Sequence, residues 1–106
     1  MVMKEEKAII NLNFQSKLSI KELYVLIENR KKELIQTEGL ISLFCHSNEI
    51  TNTVGGIYIF QNTQSAEQYL KGFLIKGVGL RYGIIPKTLK IDISSLNYTL
   101  QCNNFI

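Results

Sequence analysis

The sequence predicts an α+β fold in which two helices cover one face of a four-stranded antiparallel sheet. Three observations support this prediction: a switch in the spacing of apolar residues, the order of the segments it defines, and a polar turn between two adjacent strands. A chain of 106 residues has room for a single hydrophobic core. We therefore expect one domain over residues 1–106, with a core at 7–94 and a tail at 95–106 that docks on the body or on a partner subunit.

The N-terminal third of the chain predicts a strand followed by a helix. Ile10, Leu12 and Phe14 share one face of the strand, which is typical of a half-buried strand. Ser19 and Glu22 have the spacing of a capping box, in which two side chains satisfy free amides at a helix start. The apolar residues that follow recur at helical spacing, and they are Ile20, Leu23, Tyr24, Ile27 and Leu34. We expect Gly39 to end this helix as its C-cap.

Two apolar segments after the helix predict a β-hairpin. Segments 40–46 and 54–60 are short and rich in residues that favour strands, and the stretch between them, 47–53, is polar and turn-forming. Both strands are apolar on both faces, whereas two helices can cover only one face of the sheet. The sequence therefore predicts a homodimer packed through its sheet faces, since a second copy is the simplest cover for the open face.

The remaining segment predicts a second helix and a final strand. Thr63 or Ser65 is expected to cap the helix, and Gly77 and Gly79 to end it. The last strand is expected at 84–93, where Pro86 near its start suggests an edge position or a strand beginning. The complete order β-α-β-β-α-β is that of a ferredoxin-like domain.

Composition excludes several classes of site and location. Hydrophobic residues make up 45% of the chain and charged residues 20%, with a net charge of +3, which describes an ordinary, mildly basic globular protein. One histidine and two cysteines cannot supply the roughly four nitrogen or sulfur ligands of a structural zinc site. No segment approaches the ~20 apolar residues of a membrane span or forms a signal-peptide core, so we expect a cytoplasmic protein with reduced thiols.

A family resemblance is carried by Gly55-Gly56-Ile57-Tyr58-Ile59-Phe60, followed by Ser65-Ala66 and Tyr69-Leu70. This pattern resembles the YdhR-like monooxygenases of the dimeric α/β-barrel superfamily, alongside the antibiotic-biosynthesis monooxygenases. Weaker matches are Ile9 to Phe14, Glu38-Gly39 and Asp92-Ile93-Ser94. The resemblance implies a dimeric α/β barrel that binds no metal or flavin, in which an acidic aromatic substrate supplies its own electrons to oxygen. Family members usually carry tryptophan on the second strand, and this chain has none.

His46 and Asn13 are the candidate catalytic residues. Histidine is the residue type that most readily exchanges a proton near neutral pH, and His46 shares a predicted strand face with Ser42 and Phe44. Asn13 and Asn11 share a face of the first strand, where asparagine is uncommon and a buried amide needs hydrogen-bond partners. The alternatives are a histidine at the rim of the domain and asparagines at an edge or a dimer interface.

Three further aromatic residues and one cation complete the predicted ligand pocket. Tyr58, Phe60 and Tyr69 lie on predicted core faces, where a buried tyrosine hydroxyl requires a polar partner; core packing is the alternative. Arg81, or Lys31 on the first helix, could neutralise a substrate anion at the pocket mouth, although both residue types are commonly solvated. The predicted pocket thus comprises Asn11, Ser42, Phe44, Tyr58, Phe60, Tyr69 and Arg81.

Three functions are compatible with these features. The first is a cofactor-independent monooxygenase acting on a small apolar or aromatic molecule in a pocket between sheet and helices. The second is a non-catalytic dimeric module of the same fold that binds a ligand or a partner. The third, RNA binding, conflicts with the third strand, where Thr53, Gly55 and Ile57 occupy positions that RNA-recognition modules fill with a basic residue and aromatics. No nucleic-acid partner is therefore expected.

Overall fold

The computed structural model describes residues 6–77 and 79–103, and within them it confirms the predicted α+β ferredoxin-like fold. The elements are β1 (Ala8–Phe14), α1 (Ile20–Ile35), β2 (Leu40–Asn48), β3 (Thr53–Phe60), α2 (Thr63–Ile75) and β4 (Lys90–Ser95), with 3-10 turns at Gly79–Tyr82 and Pro86–Thr88. The sheet has the order β2-β3-β1-β4, and every neighbouring pair is antiparallel. The described chain contains no helix that is both long and apolar enough to cross a bilayer.

The start of α1 is as predicted, but its end is not. The backbone amide of Glu22 donates to Ser19 Oγ at 3.1 Å and the amide of Ser19 donates to a Glu22 carboxylate oxygen at 3.2 Å, which completes the capping box. The helix ends at Ile35 with Gln36 as its C-cap, so the assignment of Gly39 as the cap is wrong. Gly39 instead has a φ of 80° in the turn before β2, where a Cβ would come within 2.5 Å of Ser65 Oγ.

The cap of α2 also differs from the prediction. Asn62 is the N-cap, and its side-chain oxygen accepts from the Ser65 amide at 2.8 Å. Thr63 and Ser65 therefore lie in the first turn of the helix. Asparagine caps helices as well as serine or threonine does, and it stands one position earlier in the chain.

The hairpin is confirmed, and its turn is closed by a side chain. Asn48 Oδ1 accepts from the amides of Ile50 and Thr51 at 3.0 and 3.3 Å. Asn52 follows with a φ of 55°, a conformation that asparagine tolerates. The strands on either side extend slightly beyond the predicted segments.

The last strand begins later than predicted. Residues 84–89 form a bridge between Ile84 and Ser16 and then the 3-10 turn at Pro86–Thr88. This segment bonds to the end of β1, because the amide of Ile85 donates to the Gln15 carbonyl at 2.9 Å and the Gln15 amide donates to Thr88 Oγ1 at 2.8 Å. Pro86 thus precedes β4 instead of beginning it, since proline fits the first position of a helical turn.

The register assigns the strand residues to two faces of the sheet. Directly opposed residues in an antiparallel pair share a face. The inner face, covered by the helices, includes Ala8, Ile10, Leu12, Phe14, Leu40, Leu43, Cys45, Val54, Gly56, Tyr58, Phe60 and Ile91. The outer face includes Ile9, Asn11, Asn13, Ser42, Phe44, His46, Gly55, Ile57, Ile59, Lys90, Asp92 and Ser94. In β2 a bulge at Ile41 separates Leu40, on the inner face, from Ser42, on the outer face.

The core fills the space between the inner face and the helices. Phe60, Ile10 and Leu12 are its largest fully buried side chains. Leu23 and Leu34 of α1, and Ala66, Leu70 and Phe73 of α2, are buried as well. The described tail is exposed: Tyr98 and Leu100 have 80% and 71% of their surface open to solvent, so neither packs on the body of its own chain. Phe105 and Ile106, also predicted to dock, lie outside the described residues.

Candidate functional site

A cavity of about 50 Å³ lies between α1 and the inner face of the sheet. Leu12, Phe14 and Tyr58 form its floor. One wall consists of Ile20, Leu23, Tyr24 and Ile27 of α1, and the far side is closed by Phe73 and Tyr82. The opposite rim is the end of the β2–β3 hairpin, with residues 45–47 and 54–56. Apolar walls with a few polar groups are the usual construction of a small-molecule site.

Gly55 and Gly56 give ring side chains room on opposite faces of β3. A Cβ at Gly55 would come within 2.0 Å of the Leu12 carbonyl oxygen and 3.0 Å of the His46 ring. A Cβ at Gly56 would come within 2.9 Å of the Tyr58 ring and 3.1 Å of Leu43. The glycine pair that carries the family resemblance therefore lets His46 pack against the outer side of the strand and Tyr58 against the inner side.

Tyr58 and Tyr69 bring two hydroxyls together at the buried side of the sheet. Tyr69 Oη donates to Tyr58 Oη at 3.4 Å, and the two rings lie 5.0 Å apart. Tyr58 is 4% exposed. Burial raises the pKa of its hydroxyl well above the ordinary value of 10, and the neighbouring Tyr69 hydroxyl adds to the rise. Tyr58 is therefore protonated at neutral pH and can donate a hydrogen bond.

Arg30 and Tyr82 form a buried polar pair beside the cavity. Arg30 of α1 is 5% exposed, and its guanidinium donates to Tyr82 Oη and lies 5.6 Å from the centre of the Tyr82 ring. Glu33, one turn later and largely exposed, approaches the same guanidinium at 3.4 Å. Burial disfavours the charged guanidinium, but Tyr82 and Glu33 outweigh burial and raise the Arg30 pKa above its ordinary value. Arg30 is therefore a permanent positive charge inside the domain.

The Tyr82 ring is held by contacts from several elements. It stacks with Phe73 of α2 at 5.8 Å between ring centres and lies 6.4 Å from Phe14 of β1. Ser16 Oγ donates to the Tyr82 carbonyl at 2.5 Å, which ties the segment to the loop after β1. Burial raises the pKa of the Tyr82 hydroxyl, although the Arg30 guanidinium opposes that rise.

The predicted site residues are divided between the two faces. Asn11, Asn13, Ser42, Phe44 and His46 lie on the outer face. His46 and Asn13 are in one row across the sheet with Gly55 between them, and residue 46 also borders the rim of the cavity. Their catalytic role stays a prediction.

The two asparagines of β1 satisfy each other in part. Asn13 Nδ2 donates to Asn11 Oδ1 at 3.1 Å on the exposed side of the strand. Phe44, which lies in one row across the sheet with Ile57 and Asn11, has 57% of its surface exposed. These positions agree with the interface alternative for the asparagines, because they surround an apolar outer surface that the described chain leaves open.

The remaining predicted residues lie on the helix side or at the surface. Tyr58, Phe60 and Tyr69 meet there, with ring centres 5.0 to 6.5 Å apart. Phe60 is fully buried in the core, and Tyr58 lines the cavity. Arg81 and Lys31 are exposed. Each stands next in sequence to a buried member of the polar pair, namely Tyr82 and Arg30.

Arg30 and Tyr82 were not among the predicted site residues. A signal for Arg30 was present, because Leu23, Ile27, Arg30 and Leu34 follow one helical stripe in which the arginine replaces an expected apolar residue. A cation at such a position must be paired once it is buried. For Tyr82 no comparable signal exists, since it lies in an irregular segment between glycines.

Comparisons with known proteins agree with this architecture. A family model described as "Putative mono-oxygenase ydhR" matches residues 9–86. Among solved structures, SnoaB from Streptomyces nogalater, a cofactor-independent oxygenase, is 11% identical, with a TM-score of 0.60 over 93% of this chain and 99% of that chain. The monooxygenase from the gene ActVA-Orf6 of Streptomyces coelicolor, in complex with nanaomycin D, is 10% identical, with a TM-score of 0.61 over 94% and 95% of the two chains.

A further similar structure carries no assigned activity. The NE2512 protein of unknown function from Nitrosomonas europaea is 10% identical, with a TM-score of 0.63 over 96% of this chain and 100% of that chain. No curated protein matches the sequence significantly. At these identities the structural matches establish the fold.

Proposed function

The chain belongs to the family described as "Putative mono-oxygenase ydhR", and we propose that it oxidises a small aromatic molecule held between α1 and the sheet. The observation that carries this proposal is the cavity with apolar walls and two buried tyrosines, Tyr58 and Tyr82. Aromatic and aliphatic walls would bind a ring, and the hydroxyls would orient its oxygen atoms. Two proteins of the same fold support the reaction class, SnoaB as an oxygenase and the ActVA-Orf6 product as a monooxygenase with a bound small molecule.

The proposed reaction uses electrons of the substrate itself. In an anthrone-type substrate, an acidic CH₂ group and O₂ give a C=O group and water. One oxygen atom stays in the product and the other leaves as water, so the reaction needs no further reductant. The protein would contribute a dry site, hydrogen bonds to the substrate anion and a fixed orientation.

The size of the cavity sets a condition on binding. About 150 Å³ of enclosed apolar space admits a benzene ring, whereas the cavity encloses about 50 Å³. A ring-sized substrate therefore requires the mouth to widen. Tyr24 of α1 borders the cavity with 51% of its surface exposed, so it is a candidate for the side chain that moves outward to widen the mouth.

The test is protein-dependent oxygen uptake with a panel of phenolic and anthrone-type substrates, with product analysis by mass spectrometry. We expect uptake with at least one acidic aromatic substrate and a product heavier by one carbonyl oxygen minus two hydrogens. Two matched variants serve as a control: Tyr58→Phe, at the cavity, should lower the rate of oxygen uptake, and Tyr98→Phe, on the exposed tail, should not. Absence of uptake across the panel would contradict the proposal.

A second candidate function is ligand binding without catalysis. It is favoured by the placement of His46 and Asn13 on the outer face, which leaves His46 at the rim of the cavity and Asn13 outside its lining. Under this alternative the same panel raises the melting temperature of the protein but consumes no oxygen. The two readouts, measured on one sample, distinguish the functions.

We further propose that a second copy of the chain covers the outer face. Ile9, Ile57 and Ile59 form an apolar strip there, bordered by the half-exposed Phe44 and the polar Asn11 and Asn13. Two such faces related by a two-fold axis would bury the strip and pair its polar border. Analytical ultracentrifugation of the wild type and Phe44→Asp tests this. A dimer that the substitution dissociates is expected, whereas a monomeric wild type at micromolar concentration would contradict the proposal.

A further inference from the structure

We propose that Tyr82 and Arg30 form a binding subsite for the oxygen of a phenolate or enolate, in which Tyr82 contacts the ligand and Arg30 is a positioning residue. This inference rests on the cavity named in the proposed function and specifies the class of ligand that it takes. Among the described residues, Arg30 is the charged residue that is buried. Its buried hydrogen-bond partner is Tyr82, which lines the cavity.

The hydrogen bond between the two residues determines where the Tyr82 proton can point. A guanidinium has five N–H donors and no acceptor, so Tyr82 Oη must accept from Arg30. The hydroxyl proton of Tyr82 is then left to donate elsewhere. Among the described residues no acceptor receives it, and the ring lines the cavity. The free donor position is therefore available to an acceptor atom of a ligand in that cavity.

The arrangement strengthens this donor and holds it in place. A hydroxyl that accepts from a cation is polarised and becomes a better donor in turn. Phe14 and Phe73 contact the Tyr82 ring on the sheet and helix sides, while Ser16 holds its backbone carbonyl. A donor that is oriented before the ligand arrives loses little freedom on binding.

The charges around Tyr82 favour an anion over a neutral ligand. The charged and titratable groups around Tyr82 are Arg30 and Glu33 of α1, Tyr58 of β3, Tyr69 of α2 and Cys45 of β2. Tyrosines and thiols are neutral at pH 7. Glu33 is largely exposed, so water screens its carboxylate, whereas the guanidinium is buried. The field at the Tyr82 hydroxyl is therefore positive, and a phenolate or enolate oxygen is the ligand group that benefits most from it.

The experiment measures the ionisation of a bound phenol. 4-Nitrophenol is titrated with pH in the presence of excess full-length protein under argon, and the phenolate is followed by its absorbance. If the phenolate binds about tenfold more tightly than the phenol, the apparent pKa of the bound probe falls by about one unit. 4-Nitroanisole, which has no ionisable hydroxyl, serves as the ligand control.

Four variants separate the roles of the two residues. Tyr82→Phe is expected to weaken phenolate binding about tenfold and to remove the pKa shift of the probe. Arg30→Gln is expected to remove most of the shift, and Arg30→Lys, which keeps the charge, to retain part of it. Lys31→Gln removes the neighbouring exposed cation and should leave the shift unchanged. If Arg30→Gln does not fold, Tyr82→Phe and Arg30→Lys still decide the outcome.

Two results would overturn the subsite: a wild-type protein that binds no 4-nitrophenol or binds it without a pKa shift, or a folded Tyr82→Phe variant with the wild-type shift. Because oxygen is excluded, the result does not depend on turnover. A shift that requires Tyr82, in a protein that consumes no oxygen, would support the subsite and contradict the proposed oxidation.

Discussion

The inner and outer faces of the sheet belong to the same strands but differ in how far one chain completes them. On the inner face, Ile10, Leu12 and Phe60 are fully buried by the two helices. On the outer face, Ile57 and Ile59 are only partly buried, and Phe44 is mostly exposed. The surroundings of a strand residue therefore depend on the face of the sheet on which it lies more than on its residue type. Tyr58 and Tyr82, on the helix side, are candidate ligand contacts. Asn11, Asn13 and His46, on the outer face, border the apolar strip of that face.

The largest expected effect compares one residue type on the two faces. Phe60→Ala removes a ring that is fully buried and should lower the free energy of unfolding by about 3–5 kcal/mol. Phe44→Ala removes a ring that is 57% exposed and should cost less than about 1 kcal/mol. Urea unfolding at low protein concentration, where association contributes least, measures both. Equal losses would show that the single chain also completes its outer face.

The second prediction compares the neighbouring glycines of β3. Gly55→Ala places a methyl group against the Leu12 carbonyl, which the ladder holds in place, and should cost about 1–3 kcal/mol. Gly56→Ala meets the Tyr58 and Leu43 side chains, which can move, so its cost should be smaller. Unfolding by urea gives the two values. A larger loss for Gly56→Ala would contradict the packing described for the outer side of the strand.

The third prediction concerns the buried cation. Arg30→Met removes the donor to Tyr82 Oη and should lower the free energy of unfolding by about 1–2 kcal/mol, because the hydroxyl loses its buried partner. Lys31→Met, at the adjacent exposed position, should change it by less than about 0.5 kcal/mol. Thermal melts of both variants provide the measurement. Indistinguishable melting temperatures of the two variants would mean that the Arg30–Tyr82 hydrogen bond does not stabilise the fold.

The smallest effect appears only in alkaline solution. The pKa of Tyr58 is raised in the folded protein, so the unfolded chain loses this proton first as pH rises past the ordinary value of 10. The contribution of Tyr58 is therefore complete below pH 10 and is lost above it, at up to about 1.4 kcal/mol per pH unit. Tyr58→Phe should flatten this decline, while Tyr98→Phe, at an exposed position, should not. Urea midpoints between pH 9 and 11 test the difference.

Local chemistry made most of the fold predictable. The Ser19–Glu22 spacing located the start of α1, because a capping box needs only residues that are close in sequence. The polar stretch after β2 located the hairpin for the same reason. The predicted strand at 84–93 was wrong in its first half, since Ile85 and Thr88 bond to Gln15, which lies about 70 residues earlier in the chain. No local pattern records a contact of that separation.

The candidate site was less predictable because it depends on which face each strand presents. Alternation correctly grouped Ser42, Phe44 and His46, but it could not say whether the group faced the helices or the open side. Tyr58 lies on the helix side together with Phe60, because residues two positions apart in a strand share a face. Arg30 was missed because a charged residue is normally solvated, and its partner Tyr82 lies 52 residues away.

The bulge at Ile41 determines which β2 side chains face the helices and which face outward. It shifts the phase of β2 by one residue, and the outward position of His46 depends on that shift. If Ile41 paired with Ile59, the phase would reverse, and Phe44 and His46 would move to the helix side while Leu43 and Cys45 moved out. β2 is an edge strand with β3 as its one neighbour, so such a slip would have to re-form only the ladder between these two strands. A change in the turn before β2 can therefore bring an existing histidine into the cavity without altering the histidine itself.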